Sequence, residues 1–431
     1  MKPYLAHLVS VDEIQPVRLT RDICTKTNDV LLEKGSRFTR ESGVLCSQNE
    51  LAENYDDAFV IEGGFSSEVI LDVLKQSIQE DIHSQKLYSS IPIFEQLKAC
   101  VDYFCEFPTL VQRLTALAIQ LPVVFDQALW VAWVSASSLQ PKGVPQDKLN
   151  VAFLSALSHD FGMLDIDPDI VFKTERYSAQ DIEKVQKHPI HSAQLLEAIP
   201  NIPSDCIRAV KEHHERSDGT GYPERRFHKQ ISQGSQLLSA LDTANALYIK
   251  HFKDRNRSPH DMLALLQVSC LASKDPIFEL ISTCFKTTSL TYKHELNATL
   301  IPATVIEIKE NAAKITHFIK CASTFMGRVG FKHGEIRVLG LLDIFRSIAL
   351  ALDRVRIINP AYLRWLDQVV TGRIEESYRE VEDVLLICKE LQFHQLRFVR
   401  ELEAYLALNE GGSIEASRTL HEDLLMTKST P

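Results

Sequence analysis

Four separated positions in the middle of the chain carry histidines and aspartates in settings where such groups need a partner: His159-Asp160, His188, His213-His214 and Asp242. The segment NVAFLSALSHDFGML reads as an apolar helix ending in the adjacent His159-Asp160 pair, with Gly162 following. Two ionisable groups at the end of an otherwise buried helix carry a desolvation cost unless something binds them, and metal coordination would offset it. Taken alone, the dipeptide is served as well by a structural or capping role. His188-Pro189 closes the helical stretch SAQDIEKVQK. There the proline ends one helix and lets a second begin with HSAQLLEAI, and the histidine either projects into a cleft or sits on the surface.

The segment CIRAVKEHHERSDGTGYP places His213 and His214 side by side on a helix that stops at a glycine-rich loop. Consecutive helical residues point about 100° apart. The pair can therefore serve two metals a few ångströms apart, a device of in-line phosphoester hydrolysis, or one metal plus a bound phosphate. Asp242, in SQLLSALDTANAL, is a lone carboxylate in an apolar helix and needs a metal ion or one of the histidines as partner. The expectation is that His159, Asp160, His188, His213, His214 and Asp242 converge on one site. Imidazole nitrogens and carboxylate oxygens suit one or two divalent ions of iron, manganese, zinc or nickel, and ligand chemistry does not choose among them. A bridging carboxylate would hold two cations close together, and a bound water would lose a proton near neutral pH to become the nucleophile.

The elements that must position these groups are mostly helical. A chain of 431 residues predicts two or three domains. Residues 1–66 read as a small mixed α/β domain with short strands in VRLTRDI, DVLLEKGSRFT and DAFVIEGG, separated by turn signals at Asn28-Asp29, Gly35-Ser36 and Gly63-Gly64. Residues 67–290 carry apolar positions three and four apart and form the helical core. Residues 291–431 read as four helices, a candidate dimerisation or regulatory bundle. Its longest helix runs from about Glu375 to Leu408, with Val381, Leu385, Cys388, Leu391, Leu396 and Val399 on one stripe.

Nine cysteines without a CxxC pair support neither a zinc ribbon nor a thioredoxin-like motif and predict free, mostly buried thiols. A formal net charge of −10 disfavours an extended nucleic-acid surface while leaving room for a small anionic ligand. The most apolar stretch, Leu114 to Ala136, is interrupted by Gln120, Pro122, Asp126 and Gln127, which predicts a buried core helix rather than a membrane span. No export signal is evident in Met1 to Leu19, so the expected location is cytoplasmic.

In order and spacing, HD (159, 160), HP (188, 189), HHE (213 to 215), DGTGYP (218 to 223) and the Asp242 that precedes an A-N-A-L turn resemble the HD-GYP family, a branch of the HD phosphohydrolases, over roughly Leu114 to Phe285. The resemblance implies an all-helical metal-binding domain that hydrolyses the bacterial second messenger cyclic di-GMP at a multinuclear metal centre. It makes Asp160 the bridging, catalytic carboxylate. His188, His213 and His214 would complete one metal's shell, and His159 and Asp242 would help hold the other. Asp218, Gly219, Gly221, Tyr222 and Pro223 would border the substrate, and the loop would touch diguanylate cyclase-type or other signalling proteins.

The chain also departs from that family's pattern. Gln127 stands where a histidine is usual on the preceding helix, with Asp126 beside it, and Val123 removes the acid of a third metal site. Met163 replaces a lysine that would meet a substrate phosphate, and basic residues nearby in sequence (Lys211, Arg216, Arg225, Arg226, Lys229) are candidates to compensate. His191 stands at a small-residue position, and YIKHFKDRNR replaces an Arg-Pro-Tyr phrase. Two readings follow: a metal-dependent cyclic di-GMP phosphodiesterase, or a catalytically degenerate module that binds nucleotide or partner proteins without turnover. A phosphohydrolase for another phosphoester is a third.

Overall fold

The structure is a computed structural model, and it describes residues 2–53, 55–227, 230–253, 257–269, 276–288, 296–329 and 336–408. It is mainly helical, with two small antiparallel sheets near the amino terminus. In the first, β1 (Val17–Leu19) pairs with β4 (Phe59–Ile61), Val17 lying opposite Ile61. In the second, β2 (Ile23–Cys24) pairs with β3 (Val30–Leu32). Alternate residues Val17, Leu19, Phe59 and Ile61 are buried, as a half-covered strand pair requires. The helices Pro3–Asp12 and Arg40–Gln48 complete this mixed module.

The apolar stretch from Leu114 to Ala136 is buried as expected, but it is two helices, Pro108–Gln120 and Pro122–Leu139. Proline lacks an N–H and disfavours helical geometry in the residue before it, so the break falls at Leu121 (φ −133°, ψ 62°). Residues Ala128 to Ser138 are all buried, and this helix packs on Gln146–Ser158, the helix that ends at the HD pair. Among the described residues, no helix is long and apolar enough to cross a membrane. The eight described cysteines are free, and burial pushes the Cys100 and Cys206 thiols up to about 12.

The chain divides into two compact units. The first comprises Met1–His214, Ile231–Ala246 and Thr283–Thr288; the second comprises Glu215–Gln230, Leu247–Ser282 and Ser289–Pro431. This division differs from the segments 1–66, 67–290 and 291–431. The change of periodicity at Ser67 marks a change of secondary structure and not of core. The fully buried Arg113 ion-pairs with both Asp56 and Asp165, fastening the amino-terminal module to the helices after it. Much of the expected boundary near residue 290 lies outside the described residues.

The second unit holds the four expected C-terminal helices, Ile301–Val329, Ile336–Val355, Pro360–Gly372 and Tyr378–Leu408. On the last of these the buried stripe is Val381, Val384, Cys388, Leu391, His394, Phe398, Leu402 and Tyr405. The stripe expected from sequence drifts off this face, since Leu396 is 45% exposed. Its place in the core is taken by His394, whose Nδ1 accepts a hydrogen bond from Arg397 Nη1 at 3.1 Å.

Burial, with the charges of Arg397 and Arg216, pushes His394 from 6.5 down to about 3. The unfolded chain therefore takes up a proton first as pH falls below 6.5, and the folded state loses stability from there towards pH 3. The expected loss at pH 5 is about 2 kcal/mol. His394→Gln should remove this contribution, so the stability gap between wild type and variant in urea unfolding should narrow by about that amount between pH 7 and pH 5.

Candidate metal centre

All six residues expected to bind metal belong to the first unit, and the structure brings them together. His159 is the C-cap of the Gln146–Ser158 helix, and Asp160 follows at the head of a 3-10 turn, Phe161–Asp165. His188 is the first residue of the His188–Glu197 helix. It does not end the preceding Ala179–Val185 helix, because Pro189 is tolerated in a first turn, where its missing N–H has no helical partner to lose. His213 and His214 lie just past the Ser204–Glu212 helix, and Asp242 sits within Gln233–His251.

Three of the histidines are oriented in the same way. The Nδ1 atoms of His159, His188 and His213 lie 2.7, 2.8 and 2.6 Å from the carbonyl oxygens of Ala156, Val185 and Val210, each three residues back. A carbonyl only accepts, so each Nδ1 carries a proton and each ring turns its Nε2 inward. Those nitrogens converge. His188 Nε2 and His213 Nε2 are 3.3 Å apart, a contact between two acceptors that a shared cation would relieve. Asp160 Oδ1 lies 3.1 Å from the first and 3.6 Å from the second. One ligand atom each from Asp160, His188, His213 and His214 lies within 4.8 Å of all the others, a spread that suits the shell of a single ion.

The other oxygen of Asp160 faces a second group. Asp160 Oδ2 lies 3.2 Å from His159 Nε2, which is also 3.6 Å from Asp242 Oδ1. His159 is wholly buried and its Nε2 makes no hydrogen bond, so a cation beside it would fill a real deficit. The electrostatics agree. Burial alone would lower the His159 pKa, but Asp160 and Asp242 overcome it and raise it well above the usual range. Burial opposes charge on Asp160 too, and His159 with the other histidines holds it well below a usual carboxylate. His213 and His214 go the other way, lowered by burial and by neighbouring imidazoles, and so stay available as neutral ligands. The residues fit a divalent metal, and Asp160 is placed to bridge the two groups.

Gln127 and Met163 lie where the sequence placed them. The Gln127 amide donates to Asp242 Oδ1, the oxygen that faces His159. An amide N–H₂ has no lone pair for a metal. Asp126 faces solvent, which fixes the helix register, and Val123 is 70% exposed. Met163 lies in the 3-10 turn after the HD pair.

Several residues missed in the sequence hold the centre together. Ser192 Oγ donates to His159 O and accepts from Gly162 N, both at 2.7 Å, pinning the HD turn to the His188–Glu197 helix. A β-carbon at Gly162 would lie 2.1 Å from His188 O and 2.7 Å from Ser192 N, so only glycine allows this approach. Glu212 is 2% exposed and accepts from Ser232 N and Ser235 Oγ, coupling the dihistidine segment to the start of the Asp242 helix. The one legible signal was Gly162, two residues after Asp160 of the HD pair.

The loop residues expected to border substrate lie in the second unit. Glu215 accepts from the backbone of Glu224 and Arg226 and closes the loop. Asp218 Oδ2 accepts from Arg397 Nη2 at 2.9 Å, while its Oδ1 accepts from Thr220 N at 3.0 Å. Gly219 has φ +74°, and a β-carbon there would meet the Phe227 ring at 2.5 Å. Gly221 lies between Thr220 and Tyr222, and the Tyr222-Pro223 peptide is cis. Of the nearby cations, Arg225 pairs with Glu401 and Arg226 with Glu224.

A family model described as an HD domain matches residues 112–271. The chain is 28% identical over 169 residues to the cyclic di-GMP phosphodiesterase PdeB of Borreliella burgdorferi, covering 38% of this chain and 44% of that protein. It is 28% identical over 104 residues to the cyclic di-GMP phosphodiesterase PA4108 of Pseudomonas aeruginosa, covering 24% of this chain and 25% of that protein. It is 24% identical over 194 residues to the 3'3'-cGAMP-specific phosphodiesterase 1 of Vibrio cholerae, covering 44% of each. The chain thus spans less than half the length of each of these relatives.

Gly162→Ala should push the HD turn off the His188 helix, costing about 3 kcal/mol in thermal unfolding and sharply weakening metal binding measured by calorimetry. Ser192→Ala should cost about 1–2 kcal/mol and retain more of the binding.

Proposed function

Because the chain belongs to the HD-GYP family, we propose that it is a metal-dependent phosphodiesterase that hydrolyses cyclic di-GMP, with Asp160 as its central carboxylate. The observation that carries this reading is the convergence of the His188 and His213 lone pairs on Asp160 Oδ1. Asp160, His188, His213 and His214 hold the first ion, and His159 and Asp242 flank the second position. A divalent cation supplies there the stabilisation of phosphoryl charge and the acidification of water that phosphodiester cleavage needs. The protein's part is to keep His213 and His214 neutral, to aim the imidazoles, and to keep Asp160 ionised. Asp218, Gly219, Gly221, Tyr222 and Pro223 are proposed substrate-loop residues on the family pattern, and the same loop is proposed to meet signalling proteins. A cytoplasmic location belongs to the same reading.

Gln127 favours a second reading. Its amide engages Asp242 where a further ligand would serve the second ion, so we infer one tightly held ion per chain and slow turnover, or a nucleotide-binding module without turnover. The likeness to a 3'3'-cGAMP-specific enzyme adds a second dinucleotide to be tested.

Elemental analysis of the purified protein should give about one transition metal per chain, and Gln127→His should raise the ratio towards two. A wild-type ratio of two would overturn the single-ion reading. With manganese or iron added, the protein should hydrolyse cyclic di-GMP, and Asp160→Ala should lower the rate by a factor on the order of 100 or more. Hydrolysis of 3'3'-cGAMP alone would change the substrate. Tight nucleotide binding with no product would establish the degenerate module instead.

A further inference from the structure

We propose that Arg113 is a positioning residue for the metal-ligating turn, holding the His159–Ile166 segment through Asp165 and tying its position to the amino-terminal module through Asp56. The Arg113 side chain is 1% exposed and lies on the Pro108–Gln120 helix. Its Nη1 donates to Asp165 Oδ2 at 3.0 Å, and its Nη2 donates to Asp56 Oδ2 at 2.9 Å. Its guanidinium lies 3.4 Å from the centroid of the Tyr4 ring, on the first helix of the chain. Asp165 ends the 3-10 turn that begins beside Asp160.

The same turn is therefore held at both ends. Ser192 and the close approach at Gly162 fix its start against the His188 helix. Arg113 fixes its end, helped by the contact of His7 Nε2 with Ile166 O at 3.2 Å. The contacts at the second end come from segments far apart in sequence: Tyr4 and His7, Asp56, and Arg113. A guanidinium reaches two carboxylates with a rigid planar fork of fixed geometry, which an ammonium point charge does not reproduce. Metal ligands must be held within about 0.5 Å of their working geometry, so slack at Asp165 is transmitted to Asp160. A shift of the amino-terminal module that moves Asp56 or Tyr4 would thus reach the metal centre through Arg113, alongside the contact of His7 with Ile166 O.

The inference rests on the metal-centre reading but not on the identity of the substrate. The test is manganese binding to the metal-stripped full chain, followed by calorimetry, with folding verified by circular dichroism. Arg113→Lys and Asp165→Asn should each weaken manganese binding about tenfold. Arg37→Met is the control. Arg37 ion-pairs with Asp12 in the same amino-terminal module without touching the HD turn, so its loss should lower stability and leave the affinity unchanged. Wild-type affinity in both test variants, or equal weakening in Arg37→Met, would overturn the inference alone. Failure of the wild type to bind manganese would overturn the metal-centre reading together with it. If Arg113→Lys does not fold, Asp165→Asn decides.

Discussion

Two imidazole nitrogens, His188 Nε2 and His213 Nε2, face each other at 3.3 Å with their lone pairs inward, because the opposite nitrogen of each ring is committed to a backbone carbonyl. In a buried site this contact is repulsive until positive charge comes between them. Much of the first unit makes sense as a means of enforcing it: the glycine that lets the HD turn touch the next helix, the serine that pins that turn, and the glutamate that ties the dihistidine segment to the Asp242 helix. Each fixes a relation between two elements, and together they place six candidate ligand side chains from four stretches of chain.

The centre is electrostatically uneven. Around His188, His213 and His214 there are three imidazoles and one carboxylate oxygen, and burial keeps His213 and His214 neutral. Around His159 there are two carboxylates and one imidazole, and the carboxylates draw positive charge onto that ring. Asp160 belongs to both sides. The first side gathers four candidate ligand atoms, whereas on the second the Gln127 amide engages the Asp242 oxygen that faces His159.

The glycine-rich loop is shaped by a different set of forces. Within the second unit it is closed by Glu215, and its Asp218 carboxylate is held by Arg397 from the last helix. Arg397 also donates to His394, the one polar member of that helix's buried stripe. The C-terminal helices therefore supply part of the loop's internal support, a role that their apolar periodicity did not disclose.

The sequence by itself identified the candidate ligand residues and their order, because metal chemistry demands particular residue types and a helix or helix end offers few ways to present them. It also determined the helical character of the core and the four C-terminal helices, since apolar spacing three and four apart has one economical use. It did not determine where the cores divide, because the buried Arg113 that joins Asp56 to Asp165 pairs residues more than fifty positions apart on either side. Nor did it show which part of the last helix faces inward, where a stripe drifts over a long helix and a buried histidine can replace a leucine. The convergence of the His188 and His213 Nε2 atoms, the position of Asp160 between the two groups and the contact of Gln127 with Asp242 were decided by tertiary structure alone. Each depends on distances between segments brought together by packing, and local sequence carries no record of those distances.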